Sequence, residues 1–173
     1  MSPGIVTLTE QQASALVHDD LDGAGPCLMN EGLTLTDLAA TSVVPNARIL
    51  MAELDGKGAK LTAKGNLNRK LVESLVDRFQ WQGYPAERIR DMNKVINEDD
   101  YTPALYLHAV LKLGGLVRTE KGFLKLTKTG KALLPEDAAG KLQAALLRTT
   151  FTRYNPAFLD RYEMKEIFSW QIS

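Results

Sequence analysis

A helix that is apolar on nearly every side has to be wrapped by the rest of its chain, and the stretch from Thr102 to Leu113 reads as one. Thr102-Pro103 is a helix-start pair, Leu105, Tyr106, Leu107, Val110, Leu111 and Leu113 follow, and Gly114-Gly115 stops the helix. Directly behind it Leu116-Val117-Arg118-Thr119, the turn Glu120-Lys121-Gly122 and Phe123-Leu124-Lys125-Leu126-Thr127 predict a hairpin. In its second strand Leu124 and Leu126 alternate with Phe123, Lys125 and Thr127, giving one face to a core and the other to water. A chain that must surround such a helix and cover one side of a small sheet needs further amphipathic helices.

Those helices are written elsewhere. Thr9-Glu10-Gln11-Gln12 is a capping box, predicting a short helix from about Glu10 to Asp19, and the loop Asp22-Gly23-Ala24-Gly25-Pro26 follows it. A further short helix is expected near Thr36 with Asp37 in its first turn, and another after Pro45 carrying Ile49, Leu50 and Met51. Asp55-Gly56-Lys57-Gly58 is a turn leading to a short strand at Ala59-Lys60-Leu61-Thr62. Asn66 or Asn68 caps a clear helix in which Leu71, Val72, Leu75, Val76 and Phe79 recur at helical spacing. From Pro85 to Ile96 a second amphipathic segment points Ile89, Met92, Val95 and Ile96 inward. Lys131 to Leu134 starts a helix, Ala138 to Thr150 gives another, and the tail with Phe151, Tyr154, Phe158, Leu159 and Tyr162 is aromatic enough to dock. The apolar end Phe168 to Ser173 reads as truncation, docking into a partner, or burial against the same fold. The fold class is therefore mainly α with small β-hairpins. Residues 1–173 are expected to form one compact domain, with 1–97 and 98–173 as the natural sub-units.

At 173 residues such a domain buries roughly two-thirds of the surface that its unfolded chain exposes, so it folds without staples. Its single cysteine, Cys27, permits no intrachain disulfide. No apolar run approaches the ~20 residues that span a bilayer, and Met1 to Glu10 carries no basic stretch leading into an apolar core, so no membrane contact is expected and the cytoplasm is the expected compartment.

The net charge of +0 conceals a segregation. Lys57, Lys60, Lys64, Arg69 and Lys70 lie between Gly56 and Val72 with no acid, and Arg118, Lys121, Lys125, Lys128 and Lys131 lie between Val117 and Leu134 against Glu120 alone. The remainder of the chain holds 11 of the 21 basic residues and 20 of the 21 acidic ones, so the molecule is polarised if the two stretches share a face. These ten side chains are the candidate nucleic-acid contacts, with the hydroxyls of Thr62, Thr127 and Thr129 in support. Lysines also protect strand edges without binding anything, and Glu98-Asp99-Asp100 before the apolar helix would repel a duplex. Of that helix only Tyr106, His108 and Lys112 could read bases.

No chemistry is written into the chain beyond this. His18, Asp19, Asp20 and Asp22 sit in a glycine loop that suits hard cations, but Met29 stands where a calcium loop needs its bidentate glutamate. A solvated loop is the expectation, with no metal and no cofactor. Cys27 is expected to be a small buried thiol and His108 a packed imidazole bonded to a neighbour. Without a phosphate loop, dinucleotide fingerprint or nucleophile elbow, no catalytic residue is assigned and the chain is read as no enzyme.

Two resemblances follow. Leu105 to Leu134, with its helix ending in Gly-Leu-Val, basic-tipped hairpin and Leu-Thr-x-x-Gly-x-x-Leu, resembles the second half of bacterial winged-helix domains. That likeness implies that the helix is a recognition helix and the hairpin a wing. Residues 57–162, through Lys60 to Leu67, the acidic turn Asn97 to Asp100 and Phe151 to Tyr162, resemble uncharacterised bacterial proteins related to a Ri-plasmid open-reading-frame-three product, although Asn68 stands where proline is usual. That family brings no activity or catalytic residue. Finally, Lys60-Leu61-Thr62-Ala63-Lys64-Gly65 and Lys125-Leu126-Thr127-Lys128-Thr129-Gly130 match at four of six positions at an offset of 65, which is either chance or the mark of two related helix-hairpin-helix units. The functional expectation is a regulatory binding module, divided between nucleic-acid backbone contact and a protein-interaction or dimerisation scaffold.

Overall fold

The computed structural model describes residues 8–19, 21 and 25–155. The aromatic tail residues Phe158, Leu159 and Tyr162, the apolar end Phe168 to Ser173, and Asp20 and Asp22 lie outside the described residues.

Among the described residues there are seven α-helices and one three-stranded sheet, so the protein is mainly α with a small antiparallel sheet. Helix α1 (Glu10–Val17) forms on the expected capping box: the Thr9 hydroxyl accepts the Gln12 amide at 3.2 Å, and the Gln12 side chain accepts the Thr9 amide at 2.9 Å. It buries none of its residues. The expected helix near Thr36 is absent. The Asp37 carboxylate instead accepts both the amide and the hydroxyl of Thr34, at 2.8 and 2.7 Å, closing a turn that no apolar face extends.

Helix α2 (Val43–Glu53) starts ahead of Pro45, which sits in the first turn, where its missing N–H costs nothing. Val44, Ala47, Leu50 and Met51 are completely buried. Strand β1 (Ala59–Lys60) leads into helix α3 (Arg69–Arg78), whose cap is Asn68: its side chain accepts the Leu71 amide at 3.1 Å and donates to the Lys60 carbonyl at 2.8 Å. Leu71, Val72, Leu75 and Val76 form the buried stripe that the periodicity predicts. Helix α4 (Ala86–Met92) is shorter than expected. Asn93 turns extended and its side chain donates to the Ile89 carbonyl at 3.1 Å, so the helix ends there and leaves Met92 and Val95 exposed rather than inward.

A 3₁₀ turn at Glu98–Asp100 precedes helix α5 (Thr102–Leu113), which packs on both α2 and helix α7 (Ala139–Thr152). Strands β2 (Val117–Glu120) and β3 (Phe123–Leu126) close over a two-residue turn in which Lys121 and Gly122 both take positive φ, 50° and 79°. Thr127 then caps helix α6 (Lys128–Ala132), accepting the Gly130 amide at 3.0 Å, so that helix starts earlier than Lys131. In the sheet order β1-β3-β2, β1 runs antiparallel to β3 with Lys60 opposite Phe123. The two look-alike stretches thus contribute strands to a single sheet.

Tyr101, between the 3₁₀ turn and α5, is fully buried, and its hydroxyl has no partner among the described residues. Burial pushes its pKa up to about 12. Because the folded state then holds this proton more tightly than the unfolded chain, stability is complete below about pH 10 and falls as pH rises through about 12. Tyr101→Phe, which deletes only the unpaired hydroxyl, is expected to match or exceed the parent's stability at neutral pH. It is also expected to remove part of the alkaline loss, as read by urea unfolding across that range.

Candidate functional site

The pairing of β1 with β3 decides where the charges go. Residues directly opposite in an antiparallel ladder share a face. Ala59 opposes Leu124, Val117 opposes Leu126, and the two leucines are buried, so that face is the inner one. On the outer face Lys60 opposes Phe123, Arg118 opposes Lys125 and Glu120 opposes Phe123. Two basic stretches far apart in sequence therefore meet on one side of one sheet. Lys121 occupies its tip, Lys57 lies in the turn before β1 and Lys128 opens α6, all exposed.

Not all of this charge is available. Glu120 pairs with Arg118 at 2.6 Å and with Lys125 at 3.0 Å, and these cations, Lys125 first, hold its carboxyl below the usual range. Lys131 reaches Asp55 at 3.7 Å. Lys57, Lys60, Lys121 and Lys128 have no ion pair among the described residues. The remaining three candidates sit apart from the sheet face: Lys64, Arg69 and Lys70 line a depression of about 880 Å³ that also holds Asp99 and Asp100. The acidic turn that sequence reasoning set against the apolar helix faces these cations instead.

Helix α5 offers little to a groove. From Thr102 to Leu111 no residue is exposed. The Tyr106 hydroxyl is 2.8 Å from the Thr150 hydroxyl, and its ring meets Trp81 and Tyr154 edge-on, at centroid distances of 5.9 and 5.3 Å. His108 is 8% exposed, and its Nδ1 lies 2.6 Å from Oε1 of Glu98, which is 1% exposed. The other Glu98 oxygen accepts the Leu67 amide at 2.6 Å. His108 is thus the packed imidazole that the sequence predicts. Its partner was not legible, because Glu98 stands in an acidic run that looks wholly solvated and nothing local in sequence links it to residue 108. Of the three polar readers on α5, only Lys112 is exposed.

In the glycine loop Asp19 accepts the amides of Leu21 and Cys27, at 2.8 and 2.7 Å. These bonds, that to Cys27 foremost, lower its pKa. Cys27 is half-buried rather than buried, and burial followed by the Asp19 carboxylate pushes its thiol up, which leaves less thiolate. Among the described residues no helix is long and apolar enough to cross a membrane.

Comparison with known proteins adds one family. The model of the Y4jL N-terminal domain matches residues 39–140, the region from just before α2 to the start of α7. "Uncharacterized protein y4jL" of Sinorhizobium fredii (strain NBRC 101917 / NGR234) is 35% identical over 101 residues, which cover 57% of this chain and 46% of that protein. The chain spans about half the length of this curated relative. No solved structure matches the chain.

Proposed function

The chain belongs to the Y4jL N-terminal domain family, and from that premise we propose that it is a non-enzymatic regulatory binding module of the cytoplasm, contacting the nucleic-acid backbone through the outer face of its sheet. The reading includes a winged-helix architecture, supported by the succession α2, β1, α3, α5, β2, β3, with the short α4 inserted between α3 and α5, and by the sheet order β1-β3-β2. It also includes kinship with the bacterial proteins related to a Ri-plasmid open-reading-frame-three product, supported by the overlap of residues 57–162 with the family match. The observation that carries the proposal is the register Lys60↔Phe123, which sets Lys60 on the same sheet face as Arg118 and Lys125, with Lys121 at the tip beyond it and Lys57 and Lys128 toward the other end. Contacts from these side chains neutralise phosphates and read no bases, since α5 is enclosed. Recognition would then be insensitive to sequence.

The enclosure of α5 and the pairing of Arg118 and Lys125 with Glu120 favour a second reading, in which the same unit is a protein-interaction or dimerisation scaffold. Fluorescence anisotropy of labelled random duplex DNA separates the two. Four phosphate contacts predict micromolar binding that weakens roughly a hundredfold when salt rises fourfold. Lys57→Glu, Lys60→Glu, Lys121→Glu and Lys128→Glu together should abolish it with the circular dichroism unchanged. Absence of binding at low salt, or binding by the charge-reversed variant equal to the parent's, would leave the scaffold reading.

A further inference from the structure

A cavity of about 550 Å³ opens between α5, the Lys64–Asn66 turn and the end of α7. Its wall is mostly apolar: Leu105, Ala109 and Leu113 come from one stripe of α5, spaced four residues apart. The exposed cations Lys64, Lys112 and Arg153 also line it. None of the three has an ion pair among the described residues, and the Arg153 guanidinium donates to the Leu113 carbonyl at 3.3 Å. The single acid in the lining is Glu98, 1% exposed and already engaged by Leu67 and His108. Among the described residues, then, no further carboxylate of the lining offsets this positive charge. His108 belongs to the same wall, and its Nε2 is buried without a partner among the described residues.

We infer that this cavity binds a small amphipathic anion, a molecule with one apolar body and one carboxylate, sulfonate or phosphate head. The volume lies within the range of small-molecule sites, about 300–1,000 Å³, and an apolar wall with a few polar groups is their usual lining. The apolar body takes the α5 stripe, where it replaces water on leucine and alanine. The head stays with Lys64, Lys112 and Arg153, whose attraction for it weakens as salt rises because all three are exposed. A neutral molecule of the same shape gains the first contribution and not the second. The site shares only Lys64 with the basic stretches and does not depend on the nucleic-acid reading.

The test uses the full chain and anilinonaphthalene sulfonate as fluorescent probe, with octanoate and octanol as competitors of equal apolar length. Saturable binding of one probe per chain is expected, with octanoate displacing it at concentrations about tenfold lower than octanol, a difference of about 1.4 kcal/mol. Ala109→Trp, which fills the cavity from its floor, should weaken the probe at least about tenfold with the circular dichroism unchanged. Lys112→Glu combined with Arg153→Glu should abolish the preference for octanoate while octanol competes as before. No saturable binding by the folded parent, equal displacement by the two competitors, or indifference to Ala109→Trp would each overturn the assignment. The competitor comparison needs no variant, so it stands even if a substitution fails to fold.

Discussion

Replacing Glu98 by alanine is expected to cost roughly 2–6 kcal/mol, about 1–3 kcal/mol for each of the two buried groups that lose their partner. Its carboxylate is nearly inaccessible and joins three places in the chain: its own 3₁₀ turn, the Leu67 amide at 2.6 Å and His108 Nδ1 at 2.6 Å. Leu67 forms the bridge with Leu61, immediately after β1, so the bonds stitch the β1–α3 connection to the middle of α5. Alanine leaves the Leu67 amide and the His108 imidazole without the partner they share. Glutamine keeps an oxygen for Leu67 and is expected to lose less, about 1–2 kcal/mol. Urea unfolding followed by circular dichroism checks both. A midpoint for Glu98→Ala equal to the parent's would show that the three segments hold together without it.

The second large effect is expected at Gly130. A Cβ there would stand 2.0 Å from the Leu116 carbonyl oxygen and 3.0 Å from its carbon, both backbone atoms. That oxygen already accepts the Thr127 amide at 3.0 Å, so it has no slack. Gly130→Ala must push α6 off the corner between α5 and β2, at a cost of about 3 kcal/mol. Gly65, its counterpart at the offset of 65, gives the comparison. It has φ +86° and nothing within 4 Å of the place a Cβ would take, so Gly65→Ala costs only backbone strain, about 1–2 kcal/mol. A thermal melt of both variants checks the order, and the larger drop is expected at Gly130.

These two glycines also show how far the sequence could be read. Residue type and spacing made them equivalent, while the reasons for glycine differ: one position needs a left-handed backbone and the other needs an absent side chain. Only the packing of α6 against Leu116 separates them. Where physics is local, the reading carried through. The capping box of α1, the stripe of α3, the start of α5 at Thr102-Pro103 and the alternation in β3 all depend on neighbours within a few residues. Where a local signal met a competing bond, it failed. Asn93 ended α4 before Val95 could turn inward, and Asp37 closed a turn with Thr34 in place of a helix. The candidate site divides the same way. The basic residues were visible as two charge runs, but that Lys60 joins the face of Arg118 and Lys125 while Lys64, Arg69 and Lys70 face Asp99 and Asp100 follows from strand register and a distant turn.

The pairing of β1 with β3 also sets the order in which the molecule is assembled. Strands β2 and β3 close over two residues, whereas Lys60 must wait for Phe123, with α3, α4, α5 and β2 lying between them. Loop-closure entropy makes the local hairpin the early event and the capture of β1 the late one. During synthesis the asymmetry is sharper, because the chain is made from its amino terminus and β1 emerges long before its partner exists. For that interval the segment from Ala59 to Leu61 is an unpaired edge, apolar on both sides of one lysine. A charged side chain on such an edge discourages pairing with another nascent chain. Lys60 is thus placed to guard solubility before folding is complete, whatever it contacts afterwards.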